Sequence, residues 1–200
     1  MKAFTGGPLD TNAFLLESPR GDVLFDAPQG ADDHFAGRKI ALLVLTHGHF
    51  DHVADAAAIA ARHGCQVWMH ELTVPMVTRR DFFHDWGFAL EVEPVPVGRL
   101  VGEGSLDLLG TAAETFHVPG HCPGSLCIYL PGEKALIGGD VLFAGGVGRW
   151  DLPMGDFAAL ESGIRSKLYR LPPETRVLPG HGPATMIGEE MRTNPFVPAV

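Results

Sequence analysis

The stretch Ile40-Ala41-Leu42-Leu43-Val44-Leu45-Thr46-His47-Gly48-His49-Phe50-Asp51-His52 decides how the rest of this chain is read. Ile40–Leu45 is an unbroken aliphatic run, the pattern of a strand buried on both faces. Four groups able to ligate a metal follow it: His47, His49, Asp51 and His52. Val53–His63 is Ala-rich and predicts a helix, with Gly64 as its C-terminal stop. The four groups are therefore expected on a strand-to-helix turn. There His47 and His49 converge on one point while Asp51 and His52 face another. Gly48 is expected to let the backbone fold tightly between two imidazoles.

Working outward, three more candidates each sit just past an apolar strand: His121, Asp140 and His181. Val118-Pro119-Gly120-His121 and Leu178-Pro179-Gly180-His181 share one pattern and place two histidines in equivalent local settings. Asp140 follows Leu136-Ile137-Gly138-Gly139, where glycines clear space beside the carboxylate. Ligands in α/β folds gather at the carboxyl ends of strands, and all four clusters obey that rule. Imidazole and carboxylate suit zinc, iron or manganese without any cysteine. One ion is expected to take His47, His49 and His121, and a second to take Asp51, His52 and His181, with Asp140 bridging. Two divalent ions about 3.5–4 Å apart lower the pKa of a shared water from 15.7 towards roughly 7, giving a hydroxide that attacks a carbonyl or phosphorus. Zinc is the expected metal, with iron and manganese as alternatives; Asp51 and Asp140 are the expected catalytic carboxylates.

Composition limits the remaining choices. Two hundred residues, 46% hydrophobic and 20% charged, suit a single domain over residues 1–200 with a sizeable core. Frequent Gly (25) and Pro (16) predict tight turns between short elements. A net charge of -9 with no basic run argues against a nucleic-acid partner. No apolar run is long enough to cross a membrane, and Met1–Asn12 lacks the apolar core of a signal peptide. Cys65, Cys122 and Cys127 form no paired framework and read as reduced thiols of a cytoplasmic protein.

Expected elements are a hairpin (Ala13–Leu16, Val23–Phe25) turning at Pro19-Arg20-Gly21, then the Ile40–Leu45 strand, the Val53–His63 helix and a Gln66–Met69 strand. A short helix over Glu71–Thr78 follows, then strands at Leu106–Leu108, Thr111–Val118, Ser125–Leu130 and Ala135–Ile137. Phe157–Tyr169 is helical up to Pro172-Pro173, Arg176–Leu178 is the last strand and Ala184–Met191 the last helix. Alternating strands and helices around a β-rich middle predict an α/β layered fold.

His-x-His-x-Asp-His with separate His, Asp and His ligands resembles the metallo-β-lactamase superfamily, over nearly the whole chain. Thr11-Asn12-Ala13-Phe14-Leu15, Phe25-Asp26, Pro119-Gly120-His121-Cys122-Pro123-Gly124-Ser125 and Gly139-Asp140-Val141-Leu142-Phe143 carry the likeness. So do Gly146-Val147-Gly148-Arg149-Trp150-Asp151-Leu152-Pro153 and Leu178–Thr185, and it is strongest to single-domain bacterial glyoxalase II-like hydrolases. The resemblance implies an αβ/βα four-layer sandwich, two central mixed sheets with outer helices and the metals at one edge. It also implies a metal-dependent thioester hydrolase acting on a small, glutathione-derived substrate such as S-D-lactoylglutathione, through a metal-bridging hydroxide. By the same resemblance Arg149 is expected to contact the substrate's anionic part, against the plainer reading of a surface pair with Asp151. Two departures stand out. The helical domain of the longer glyoxalases has no counterpart in the 19 residues after His181, and Pro183 replaces their tyrosine. Asp140 speaks against a true β-lactamase. The alternative is a persulfide dioxygenase, which by resemblance binds one iron through His47, His121 and Asp140 and oxidises glutathione persulfide.

Other residues are assigned plainer roles. Arg79–Phe88 is rich in aromatics and is either a segment packed on the core or a lid. His70 is expected to cap a helix, His117 to sit in the core or behind the ligands, and His63 to favour a helix C-terminus. His34 and His84 are expected in solvent, and Cys122 in packing.

Overall fold

The computed structural model describes residues 1–199. Ile40–Leu45 is aliphatic throughout because its strand lies between two apolar layers. The first sheet contains β1 (Lys2–Gly6), β2 (Thr11–Ser18), β3 (Gly21–Phe25), β4 (Ile40–Val44), β5 (Gln66–Met69) and β6 (Arg99–Leu100), in that order. β1 to β3 pair antiparallel, whereas β3 to β6 pair parallel. Side chains alternate across it. Leu15, Leu24 and Leu43 face outward into a cluster with Ile59, Met76 and Phe83. Phe14, Leu16, Val23, Phe25, Leu42 and Val44 face inward.

The second sheet is built from β7 (Gly104–Leu108), β8 (Thr111–His117), β9 (Leu126–Leu130) and β10 (Ala135–Gly139). After a small hairpin, β11 (Leu142–Phe143) with β12 (Gly146–Val147), it is completed by β13 (Arg176–Pro179) and β14 (Thr185–Met186). Its order is β14-β13-β10-β9-β8-β7, and only β10 and β13 run parallel. Leu108, Leu126, Ile128, Leu130 and Ile137 meet the first sheet across a shared core. Cys127, Leu136 and Val177 point the other way, against Leu160, Ile164, Leu168 and Ile187.

Helices cover both outer faces. α1 (Ala31–His34), α2 (Phe50–Val53), α3 (Ala56–His63) and α4 (Val74–Thr78) lie on the first sheet; α5 (Phe157–Ser166) and α6 (Ile187–Thr193) lie on the second. This is the expected αβ/βα four-layer sandwich, because each sheet must bury two apolar faces and each helix one.

Several boundaries differ from expectation. The helix expected over Val53–His63 is two helices, and the first begins at Phe50, so Asp51 and His52 are helical residues rather than part of a loop. Tertiary bonds break it: Asp55 N–H donates to Ala27 O and Ala27 N–H to His52 O, while the Asp55 carboxylate accepts from Gly30 and Asp32. Thr185 and Met186, expected to be helical, pair with β13 as an edge strand, and the last helix runs from Ile187 to Thr193. The Phe157 helix ends at Ser166 and continues as a 3₁₀ turn over Leu168–Arg170. β1, β6 and the β11–β12 hairpin have no counterpart in the sequence reading; they are two to five residues long and largely exposed or half-buried. Gly48 has a different purpose from the one expected. A Cβ there would lie 2.8 Å from Met76 Cβ, so the glycine admits α4 against the turn.

Candidate metal centre

The seven candidate ligands come from five separate places and meet at one edge of the sandwich. His47 and His49 follow β4, Asp51 and His52 open α2, His121 follows β8, Asp140 follows β10 and His181 follows β13. One donor atom from each of His47, His49 and His121 falls within 4.8 Å of the others. The same holds for Asp51, His52 and His181, and for His47, His52 and Asp140. His47 Nε2 faces His49 Nδ1 at 3.1 Å and His121 Nε2 at 3.3 Å. Asp140 lies between the groups: Oδ1 is 3.2 Å from His52 Nε2, and Oδ2 is 3.5 Å from His121 Nε2 and 3.4 Å from His181 Nε2. Close approach there depends on Gly180, where a Cβ would lie 2.1 Å from Asp140 Oδ1 and 2.6 Å from His52 Cε1.

In four of the five rings, those of His47, His52, His121 and His181, the outward nitrogen is held so that the inward one points at the centre; His49 instead turns Nδ1 towards His47. His121 Nδ1–H donates to Arg149 O at 2.8 Å, and His181 Nδ1–H to Leu9 O at 3.0 Å. The two Pro-Gly-His turns thus present their histidines in the same way, although His121 is buried and His181 partly exposed. Asp26, which the sequence reading did not include among the site residues, organises the other side. It accepts from Thr46 N–H and Thr46 Oγ1–H, both at 2.7 Å, and from His52 Nδ1–H at 2.8 Å. With its own proton given to Asp26, Thr46 Oγ1 accepts from His47 Nδ1–H at 3.1 Å. Thr11 Oγ1 donates to Asp51 Oδ2 at 2.7 Å. Asp26 repeats the sign that marks Asp140, a carboxylate ending an apolar strand, but only folding shows that it bonds His52.

The electrostatics describe a site prepared for cations. Burial and neighbouring imidazoles push His47 well below its ordinary range and His49 down to about 3, and burial also lowers His121. Burial opposes charge at His52, yet Asp140, Asp26 and Asp51 outweigh it and hold that imidazole well above its usual value. His181 is likewise raised against burial to about 10 by Asp140 and Asp51. Against burial, His52 and His181 hold Asp51 down at about 2, and the same two groups hold Asp140 well below the carboxylate range. His49 Nε2, His52 Nε2 and Asp140 Oδ1 are buried without a hydrogen-bond partner. Buried lone pairs and carboxylates gathered this way are costly unless a cation joins them, and the donor set fits divalent zinc, iron or manganese.

A cleft of about 460 Å³ opens over these groups, walled by Leu9, Phe50, Trp86, Phe88 and Phe143 with Arg149 at its rim. Arg149 is bound to Asp151 by two hydrogen bonds of 2.9 and 3.0 Å, which is the plainer of the two readings of this residue. Within Arg79–Phe88, Phe83 is anchored in the core and Trp86 meets His49 edge-on at 5.7 Å, so the segment is a wall of the cleft. His70 caps a 3₁₀ turn by accepting from Leu72 N–H, and stacks on His117 at 4.1 Å. His34 and His84 are exposed, His63 ends α3, and the Cys122 thiol is buried against Met76.

Comparison with known proteins gives this edge a lineage. Residues 6–181 match the family model of the metallo-beta-lactamase superfamily. The hydroxyacylglutathione hydrolase GloC of Haemophilus influenzae is 36% identical, over 80% of this chain and 76% of its own. Among solved structures, TTHA1623 in a di-iron-bound form is 40% identical with a TM-score of 0.87, covering 98% of this chain and 100% of that one. The B3 metallo-beta-lactamase BLEG-1 is 33% identical with a TM-score of 0.90, covering 98% of each chain. With the fold, the five-part convergence and a family match spanning most of its length, this chain belongs to the metallo-beta-lactamase superfamily.

Proposed function

We propose that this member of the superfamily is a metal-dependent hydrolase that cleaves thioesters, with S-D-lactoylglutathione as the reference substrate. The observation that carries this reading is the pair of ligand groups, His47, His49, His121 and Asp51, His52, His181, with Asp140 reaching both. Two divalent ions held there would supply Lewis acidity and a water acidic enough to react at neutral pH. Zinc suits this donor set, and likeness to a di-iron protein supports iron equally. In the reaction, water adds to the acyl carbon, the C–S bond breaks, one proton of the water goes to the departing thiolate and the other to solvent, leaving a carboxylate and a thiol. Asp51 and Asp140 are the proposed catalytic carboxylates: neighbouring imidazoles hold both in the ionised form, the form that accepts a proton or a hydrogen bond from an attacking water. Arg149, at the rim, is proposed to meet the substrate's anionic end. Likeness to a hydroxyacylglutathione hydrolase supports the glutathione-derived substrate.

No helix among the described residues is long and apolar enough to cross a membrane, and all three cysteines are free thiols. We place the protein in the cytoplasm as one domain over residues 1–200. The test is metal analysis of purified protein beside three assays: lactoylglutathione hydrolysis, oxygen uptake with glutathione persulfide, and cephalosporin hydrolysis. Thioester cleavage with two metals per chain supports the reading. Oxygen uptake with one iron makes it a persulfide dioxygenase instead, and cephalosporin cleavage without thioester cleavage makes it a lactamase. His49→Ala and Asp140→Ala are expected to lose metal and activity together.

A further inference from the structure

The cleft over the ligands is more apolar than a small polar acyl group requires. On one side, Phe83 is buried and braces Phe50 at 5.8 Å and Trp86 at 5.4 Å. Trp86 in turn stands over His49, and Phe88 is 42% exposed at the mouth. On the other side Leu9 is 51% exposed, and the Phe143 ring meets His181 at 6.2 Å. Apolar surface left open to water on both sides of a reacting centre gains free energy when a ligand covers it.

Charge contributes little in comparison. Arg149 is the lining's single guanidinium among the described residues, and Asp151 occupies it. That pair is exposed, at 67% and 64%, so a substrate carboxylate would exchange one weak surface pair for another. The nearby Arg79 and Arg80 are also committed, to Asp81 and Asp85 and to Glu93.

We infer that the site selects thioesters by a bulky apolar acyl group, aromatic or branched, and that Trp86 and Phe88 set this preference. The acyl side is favoured because a glutathione thiol is polar and charged, whereas the wall beside the ligand His49 is aromatic and carries no charge. The inference rests on the thioesterase reading. It concerns only which acyl group is preferred.

The experiment compares S-phenylacetylglutathione with S-D-lactoylglutathione on metal-loaded enzyme, because the two share a thiol and differ in the acyl group. Each buried methylene-sized group is worth about fourfold in binding, so kcat/KM is expected to favour phenylacetyl by at least about tenfold. Phe88→Ala and Trp86→Ala are expected to move that ratio towards one. Phe88 is exposed, so its truncation spares the core and stays informative even where Trp86→Ala folds poorly. A wild-type ratio at or below one, or a ratio unchanged in Phe88→Ala, overturns the inference and leaves thioester hydrolysis standing. Turnover of neither thioester overturns both.

Discussion

Asp26→Asn should separate the shape of the site from its proton arrangement. Asp26 adopts a left-handed backbone (φ 59°), which asparagine tolerates well, so the substitution leaves the chain path intact. Asn Oδ1 can still accept from Thr46 N–H, 2.7 Å away. The amide NH₂ then stands where Oδ2 faces Thr46 Oγ1 at 2.7 Å and His52 Nδ1 at 2.8 Å. A donor there forces His52 Nδ1 to accept, which moves the ring proton to Nε2 and removes the lone pair aimed at the centre. Thr46 Oγ1, now accepting from the amide, turns its own proton towards His47 Nδ1 and reverses that ring too. Outer partners of metal-binding histidines are typically worth 10–100-fold in affinity, about 1.4–2.7 kcal/mol, and a partner shared by two ligands belongs at the upper end. Competition against a chromogenic chelator measures the loss, and thermal unfolding of the metal-free variant shows that the fold persists. An Asp26→Asn protein that holds two metals with wild-type affinity would refute the tautomer argument.

Other outcomes are open to measurement. Gly180→Ala places a methyl 2.1 Å from Asp140 Oδ1, so metal content should fall sharply by elemental analysis while far-UV circular dichroism is retained. In the metal-free protein His181 is raised from 6.5 to about 10. Its stabilising effect is full below pH 6.5 and is lost as pH rises towards 10, so the metal-free melting temperature should decline across that window. Metal affinity, followed by calorimetry, should rise over the same window as proton competition at His181 fades. Leu42→Ala empties a fully buried position between the sheets and should cost about 2–5 kcal/mol in denaturant unfolding, with the metal stoichiometry unchanged.

Much of this protein is legible without its tertiary structure because the relevant signals are local. The aliphatic run of β4 followed at once by His47, His49, Asp51 and His52 places four ligand-type groups at a strand end, whatever the rest of the chain does. The Pro-Gly-His turns and the glycines before Asp140 are equally short-range, which is why three distant segments could be assigned to one site. The hairpin of Ala13–Leu16 with Val23–Phe25 is local in the same way, its turn marked by Pro19-Arg20-Gly21.

Tertiary structure decided what depends on partners far apart in sequence. Asp26 bonds His52 across 26 positions, and Thr11 bonds Asp51 across 40, and neither contact has a local signature. The helix expected from Val53 breaks at Asp55 because Ala27 and the Gly30 loop compete for its bonds, and local propensity cannot register that competition. Trp86 becomes a wall of the cleft only because Phe83 anchors its segment in the core, which brings the indole over His49. The sequence by itself determined which groups could bind metal, through residue type and short spacing. The fold determined which nitrogen of each ring faces the centre and what surface a substrate meets, because both depend on hydrogen bonds and packing between distant strands.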